Sequence, residues 1–183
     1  MRILAISGSL RKASFNTAAL RAAAELAPAG VEVTIYEGLR DIPPYDDDQR
    51  AGSGFPPAVA AFRAAIKAAD AILIATPEYN YSVPGVLKNA IDWASRAPDQ
   101  PFDGKPVAIM GASGGLLGTA RAQYDLRKVF VFLNGHVLNK PEVMIGQSAT
   151  RFDAEGRLTD EKTRELIAQQ LAALRDWAER LRR

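Results

Sequence analysis

The sequence predicts an α/β protein in which helices cover both faces of a parallel β-sheet. Three observations predict it. Short apolar runs alternate with helical patterns along the chain, the order that βαβ units produce. The run Ala71 to Thr76 ends in Pro77-Glu78-Tyr79-Asn80-Tyr81-Ser82-Val83-Pro84-Gly85, directly before a helical pattern. Two similar junctions of strand, loop and helix follow the first and fourth strands. Loops at the carboxyl edge of an open α/β sheet are where ligands bind, so three of them imply one shared pocket.

Taken in order, the first strand is Ile3 to Ser7, and an alanine-rich helix covers about Asn16 to Leu26. Ala27-Pro28-Ala29-Gly30 stops it, because proline and glycine stand where helices end. Val31, Val33 and Ile35 alternate in a second strand, Val31 to Tyr36. A long proline-bearing segment, Glu37 to Pro57, follows, and a loop of that length is often functional. It is expected to border the mouth of the site. Its Asp46, Asp47 and Asp48 read as a solvated turn, since no second cluster of ligands accompanies them.

A helix over Ala58 to Ala69 leads into the third strand, Ala71 to Thr76. The next helix begins near Pro84 and reaches about Ser95, with proline suited to a first turn that needs no N–H acceptor. Val86, Leu87, Ala90, Ile91 and Ala94 share one of its faces. Gly104-Lys105-Pro106 turns into the fourth strand, Val107 to Gly111, and a glycine-rich loop precedes a helix over Thr119 to Leu133. His136 to Leu138 is a short fifth strand, and Pro141 to Thr150 is irregular with room for more strand. The final helix, Thr159 to Leu181, sets Leu166, Ile167, Leu171 and Leu174 toward the sheet. Five strands match the doubly wound, flavodoxin-like order 2-1-3-4-5, whose switch point is flanked by the loops Ser7 to Asn16 and Pro77 to Ser82.

Composition narrows the function. A chain of 183 residues with 48% hydrophobic and 24% charged residues fits one domain, residues 1–183. No apolar stretch has the length of a membrane helix, and the start of the chain lacks a signal-peptide core. There is no cysteine, which removes disulfides, thiolate metal sites and cysteine nucleophiles and fits a cytoplasmic protein. The formal charge is +2 and no aromatic-interleaved basic patch occurs, so nucleic acid is not an expected partner. The single histidine, His136, lies far from any nucleophile and reads as a core or turn residue. The Arg180 to Arg183 end reads as a solvated helix terminus, where cations suit the dipole.

The first loop reads Ser7-Gly8-Ser9-Leu10-Arg11-Lys12-Ala13-Ser14-Phe15-Asn16-Thr17. A helix N-terminus with unpaired N–H groups suits a phosphate. Ser9, Ser14 and Thr17 can donate to its oxygens, and Arg11 can pair with it in bidentate geometry. A capping loop with Ser14 or Asn16 at the cap would use only one of these groups. The triphosphatase loop pattern and the Gly-x-Gly-x-x-Gly dinucleotide fingerprint are both absent, which favours a phosphomonoester. In the second loop, backbone groups can bond the edge of a flat heteroaromatic ring while Tyr79 or Tyr81 lies near its face. Glu78 matters there more through its backbone than through its carboxylate. The third loop, Gly111-Ala112-Ser113-Gly114-Gly115-Leu116-Leu117-Gly118-Thr119, permits close backbone approach.

Ser7-Gly8-Ser9-Leu10-Arg11-x-x-Ser14-x-Asn16 and Pro77-Glu78-Tyr79-Asn80-x-Ser82-x-Pro84-Gly85-x-Leu87-Lys88-Asn89-x-Ile91-Asp92-Trp93 resemble the NADPH-dependent FMN reductase family, in its quinone, chromate and azo-dye reductase branch. The resemblance implies a flavodoxin-like fold, bound FMN, NADPH or NADH as co-substrate, a small-molecule electron acceptor, and a homodimer or homotetramer. It implies that Ser9, Arg11, Ser14, Asn16 and Thr17 hold the phosphate. Pro77, Glu78, Tyr79, Asn80 and Tyr81 would line the isoalloxazine, and Ser113, Gly114 and Gly115 would flank the ribityl chain and ring edge. Arg121 and Tyr124 would sit near a subunit interface, where aromatics such as Trp93 are also enriched. No metal site and no catalytic side chain are expected, because the flavin carries the chemistry. A flavodoxin-type electron carrier without turnover is the alternative; carriers of that kind tend to be strongly acidic, unlike this chain. A phospholigand-binding regulator is a third reading, favoured only if flavin does not bind.

Overall fold

The structure, a computed structural model, describes residues 1–182, so Arg183 of the expected cationic terminus lies outside the described residues. Strand β1 is Arg2–Ser7, followed by α1 (Phe15–Glu25) and β2 (Glu32–Tyr36). A 3-10 turn (Gly38–Asp41), α2 (Asp47–Ser53) and α3 (Pro57–Ala68) precede β3 (Ala71–Ala75) and α4 (Gly85–Ala94). Then come β4 (Pro106–Ala112), α5 (Ala120–Phe132), β5 (His136–Val137) and β6 (Val143–Ile145). A second 3-10 turn (Ser148–Thr150) leads to α6 (Glu161–Leu181).

All strand pairs are parallel, in the order β2-β1-β3-β4-β5, which is the expected flavodoxin-like order. Successive residues of a strand face opposite sides, and the two sides are built differently. Leu4, Ile6, Ile72 and Ile74 pack with large residues of α3, α4 and α5, including Phe62, Leu87, Trp93 and Phe130. Ala5, Ala71, Ala75 and Ala108 meet the alanines of α1 and the leucines of α6. Small side chains on both surfaces bring α1 close to the sheet, so its N-terminus stands directly over the carboxyl edge of β1.

The last position of the sheet is shared by two short strands, β5 and, within the Pro141 to Thr150 segment that left room for more strand, β6. β5 pairs with the start of β4 through Pro106 and Val107, and β6 pairs with its end through Met110 to Ala112. Between them the chain leaves the sheet at Pro141, which has no N–H to give. Gln170 of α6 fills the gap: its Nε2 donates to the Ile109 carbonyl and to the Pro141 carbonyl, each at 3.1 Å. His136 lies in β5, and its carbonyl accepts from Trp177 Nε1 at 3.0 Å, in keeping with a structural residue.

The Glu37 to Pro57 segment is more ordered than its composition suggests. Asp46 caps α2, accepting from the N–H groups of Asp48 and Gln49, so the three aspartates start a short helix rather than form a solvated turn. Asn89 and Trp93 of α4 pin the segment. Asn89 bonds both the Pro43 carbonyl and the Tyr45 N–H, and the fully buried Trp93 donates from its indole to Pro43 at 2.9 Å. Trp93 is therefore a core residue. Pro84 stands just before α4 with ψ 140, its carbonyl accepting from Leu87 and Lys88.

Candidate functional site

The loops after β1, β3 and β4 meet in one cleft of about 410 Å³ at the carboxyl edge of the sheet. Gly8 lets the first two loops touch, since a Cβ there would stand 3.0 Å from Pro77 and 3.1 Å from Leu87. Ser9, Arg11, Ser14, Asn16, Pro77, Glu78, Tyr79, Ser113 and Gly114 line the cleft, together with Phe15 and Ala112. Thr17, Asn80, Tyr81 and Gly115 do not line it. Thr17 turns its hydroxyl to Ser7, 2.8 Å away.

One wall is the start of α1. Ser14 is the N-cap, and its Oγ accepts from the Thr17 N–H at 3.4 Å. The N–H groups of Phe15 and Asn16 begin the helix and have no intrahelical acceptor. No acidic residue stands in that first turn, so the positive end of the helix is uncompensated. Ser9 Oγ accepts from the Arg11 N–H at 3.4 Å, which leaves its proton free to donate. Arg11 lies over the Phe15 ring, 5.4 Å from its centroid.

Asn16 has a second task. Its carboxamide accepts from the Ala112 N–H at 2.9 Å and donates to the Ala112 carbonyl at 3.0 Å. It ties the first loop to the end of β4, and half of its side-chain bonding capacity is spent there. What Asn16 can still offer the cleft is chiefly its backbone N–H.

The second wall is the Tyr79 turn. Tyr79 and Ser82 exchange both backbone hydrogen bonds, at 3.2 and 3.1 Å, around Asn80 and Tyr81. Both central residues have positive φ, 50° and 69°, as in a type I′ turn. Asn80 tolerates the left-handed region, whereas Tyr81 adopts it at a cost that outside contacts can offset. The turn's anchors are on α5. The Glu78 carboxylate accepts from Arg121 Nε at 2.6 Å and from the Ala122 N–H at 3.2 Å, and Arg121 Nη2 pairs with it as well. Ser82 Oγ bonds Asp125 at 2.9 Å. Arg121 also stacks 3.6 Å above the centre of the Tyr81 ring.

These contacts settle several readings left open by the sequence. The Glu78 carboxylate is paired with Arg121 as a strut, and the residue lines the cleft. Tyr81 is 69% exposed and lies under Arg121, so it is not a core residue. Tyr124 is half-exposed, and a hydrogen bond to Glu142 raises its hydroxyl pKa. Phe15 and Ala112 are lining residues that sequence reasoning missed. Phe15 carried a usable signal, as it sits inside the anion-binding motif at the first helical position.

The Glu37 to Pro57 segment reaches this region only at its beginning. Glu37, Leu39 and Arg40 border the first loop, and Arg40 Nη2 donates to the Leu10 carbonyl at 2.7 Å. Asp47 and Arg50 lie instead beside Ser95 and Arg96, at the far end of α4.

Comparison with known proteins agrees with this geometry. The family described as NADPH-dependent FMN reductase matches residues 1–150. An NAD(P)H-dependent FMN reductase of Pseudomonas aeruginosa is 60% identical over 182 residues, covering 100% of this chain and 97% of that protein. A quinone reductase of Escherichia coli is 46% identical over 183 residues, with 100% and 97% covered. Among solved structures, the flavoenzyme NAD(P)H:(acceptor) oxidoreductase FerB from Paracoccus denitrificans superposes with a TM-score of 0.87 at 37% identity, covering 98% of this chain and 97% of that one. The chain belongs to the NADPH-dependent FMN reductase family.

Proposed function

We propose that this chain is an FMN-dependent NAD(P)H oxidoreductase that passes electrons from a reduced nicotinamide to a quinone or a similar small acceptor, such as an azo dye, chromate or free flavin. The observation that carries this reading is the cleft itself. An uncompensated helix end with Arg11, Ser9 and Ser14 lies at one side, and a rigid tyrosine-bearing turn lies at the other.

The residues present fit FMN. Among the described residues the one acid that lines the cleft, Glu78, is paired with Arg121, so a dianionic phosphate there meets no unpaired carboxylate of the lining. Gly114 lines the cleft without a side chain, and nothing lies within 4 Å of where a Cβ would stand, which leaves room there for a ribityl chain or ring edge. Arg11, Ser9, Ser14 and the N–H groups of Phe15 and Asn16 would hold the phosphate. The backbones of Pro77, Glu78 and Tyr79 would meet the ring, with Ser113 and Gly114 opposite. Asn80, Tyr81, Thr17 and Gly115 act from behind these walls.

FMN held there would supply the two-electron chemistry between nicotinamide and acceptor. The side chains need no acid–base pair for that work; they bind, orient and fix charge. The Glu78–Arg121 strut holds the Tyr79 backbone in place before ligand arrives, so that its groups need no reorganisation.

We also propose a single FMN-binding domain over residues 1–183, a cytoplasmic location, and assembly as a homodimer or homotetramer. The packing of α6 against β4 and α1 supports one domain. Exposed Tyr124, Val131 and Phe132 on one helix, the last 86% exposed, support self-association. Among the described residues no helix is long and apolar enough to cross a membrane.

The test is a visible spectrum of purified protein, followed by FMN titration and then NADPH and NADH addition under nitrogen. Flavin absorbance that bleaches with either nicotinamide, and steady NAD(P)H consumption with a quinone, are expected. A protein that stays colourless and takes up no FMN refutes the reading. One that binds FMN but turns over no NAD(P)H is an electron carrier instead. Light scattering reads the assembly.

A further inference from the structure

Building on that FMN-dependent reading, we infer that Ser148 is a positioning residue for the flavin. From behind the third wall of the cleft it fixes the Ser113 to Gly115 stretch, which would meet the ribityl chain or ring edge. Ser148 does not itself line the cleft. It stands 35 residues beyond Ser113, in the 3-10 turn that follows β6, and it is fully buried.

The segment after β6 carries the sheet pairing on into the third loop. The ladder between β4 and β6 ends at Ala112 and Ile145. Past that point the Ser113 N–H donates to the Ile145 carbonyl at 3.0 Å, and the Ser148 N–H to the Ser113 carbonyl at 3.0 Å. The Gln147 N–H donates to the Gly115 carbonyl at 2.9 Å. The Ser148 hydroxyl lies 2.8 Å from the Ser113 carbonyl oxygen and 3.2 Å from that of Ile145. A hydroxyl has one proton to give, and the shorter contact takes it. The Ser113 carbonyl therefore receives two donors from one residue, which occupy both of its lone pairs. Solvent does not reach the Ser148 hydroxyl to compete for its proton.

Two further features fit this segment to the loop. A Cβ on Gly146 would stand 2.3 Å from the Leu116 oxygen and 3.0 Å from the Gly115 oxygen, so the close approach requires glycine there. Arg151 braces the same turn, its Nε donating to the Gly146 carbonyl at 3.0 Å and its Nη1 to Asp160, the N-cap of α6, at 2.7 Å. The third wall is thereby tied to the last helix. Little else fixes it. Gly114 and Gly115 bring no side chains to pack, and among the described residues their N–H groups donate to no backbone acceptor. Gly114 is held between two fastened carbonyls, Ser113 and Gly115, and Ser148 supplies both bonds to the first of them.

The test is titration of apoprotein with FMN and with riboflavin, read by flavin fluorescence. The third wall is expected to meet the parts that the two flavins share. Ser148→Ala should therefore weaken both alike, about three- to tenfold, the scale of one hydrogen bond. Ser148→Cys, similar in shape with a weaker donor, should fall between. Gln100→Ala controls for stability alone. It loses the bonds to the Leu133 carbonyl and the Phe102 N–H at the far end of α5, so it should lower the urea midpoint and bind both flavins as the wild type does. The midpoint potential of bound FMN should shift in Ser148→Ala and stay unchanged in Gln100→Ala. Hydrogen exchange at the Gln147 N–H of flavin-free protein should quicken in Ser148→Ala. If the wild-type protein takes up neither flavin, the functional reading fails, and the exchange rate still judges whether Ser148 fastens the wall. A folded Ser148→Ala protein that binds both flavins as tightly as the wild type overturns the inference. So does a loss confined to FMN, which would put the effect at the phosphate, and so does an equal loss in Gln100→Ala, which would make it one of stability.

Discussion

Replacing Glu78 tests how the site is held open. The Tyr79 turn places Asn80 and Tyr81 in the left-handed region, at φ 50° and 69°. Asn80 tolerates that conformation, but for Tyr81 it costs about 1–2 kcal/mol, which the turn stores. The Glu78 carboxylate, 8% exposed, opposes this by holding Arg121 and the Ala122 N–H, with Ser82–Asp125 as the second anchor. In Glu78→Ala one anchor remains and the turn can relax. Release of that strain, about 1–2 kcal/mol, must be reversed each time FMN binds, which corresponds to a roughly five- to thirtyfold higher Kd. Glu78→Gln keeps an acceptor for Arg121 and should fall between the two. The assay is quenching of FMN fluorescence on titration into apoprotein, with circular dichroism to establish that the fold is intact. A Glu78→Ala protein that is folded and binds FMN with the wild-type Kd would show that the turn holds itself, and the strut argument would be wrong.

The remaining predictions concern other parts of the fold. Arg11→Ala should raise the Kd for FMN about a hundredfold, the scale of a lost charge-assisted bond to phosphate, while leaving riboflavin binding nearly unchanged; flavin titration compares the two. Asn16→Leu should destabilise the fold by about 2–4 kcal/mol, because it leaves the Ala112 N–H and carbonyl buried without partners; a urea midpoint measures it. Asp70 has its pKa lowered, first by the Arg2 N–H at 2.7 Å and then by Arg182. A depressed folded pKa gives stability that is present above the unfolded carboxylate value, about 3.9, and is lost as pH falls from there through the folded value. Urea unfolding from pH 6 downward should therefore show Asp70→Asn with a smaller acid-side loss than the wild-type protein.

Much of the architecture was readable along the chain. Ala71 to Ala75 and Val107 to Gly111 are apolar throughout because helices cover both faces of their strands, and the helices between them show their packed faces in sequence. The three loops were readable because strand, loop and helix follow one another directly. α2 was not readable: it has seven residues and buries none of them, so no periodicity marks it. The split last strand was hidden for a different reason. It depends on Gln170, 61 residues from the carbonyl it satisfies, and such a partner leaves no local trace.

The amino-acid order by itself determined the alternation of strands and helices, carried the motifs of the family, and set the loops after β1, β3 and β4 directly at strand ends. It could do so because hydrophobic period, helix caps and turn residues act over a few positions. Only the tertiary structure decided what several of those residues do there. Glu78 meets Arg121 43 residues on and becomes a strut, Asn16 meets Ala112 96 residues on and becomes a tie, and Arg40 reaches the first loop from another segment. A hydrogen bond or ion pair acts at a distance of about 3 Å in space, whatever the separation along the chain. Such partners appear only once the sheet has brought its loops together.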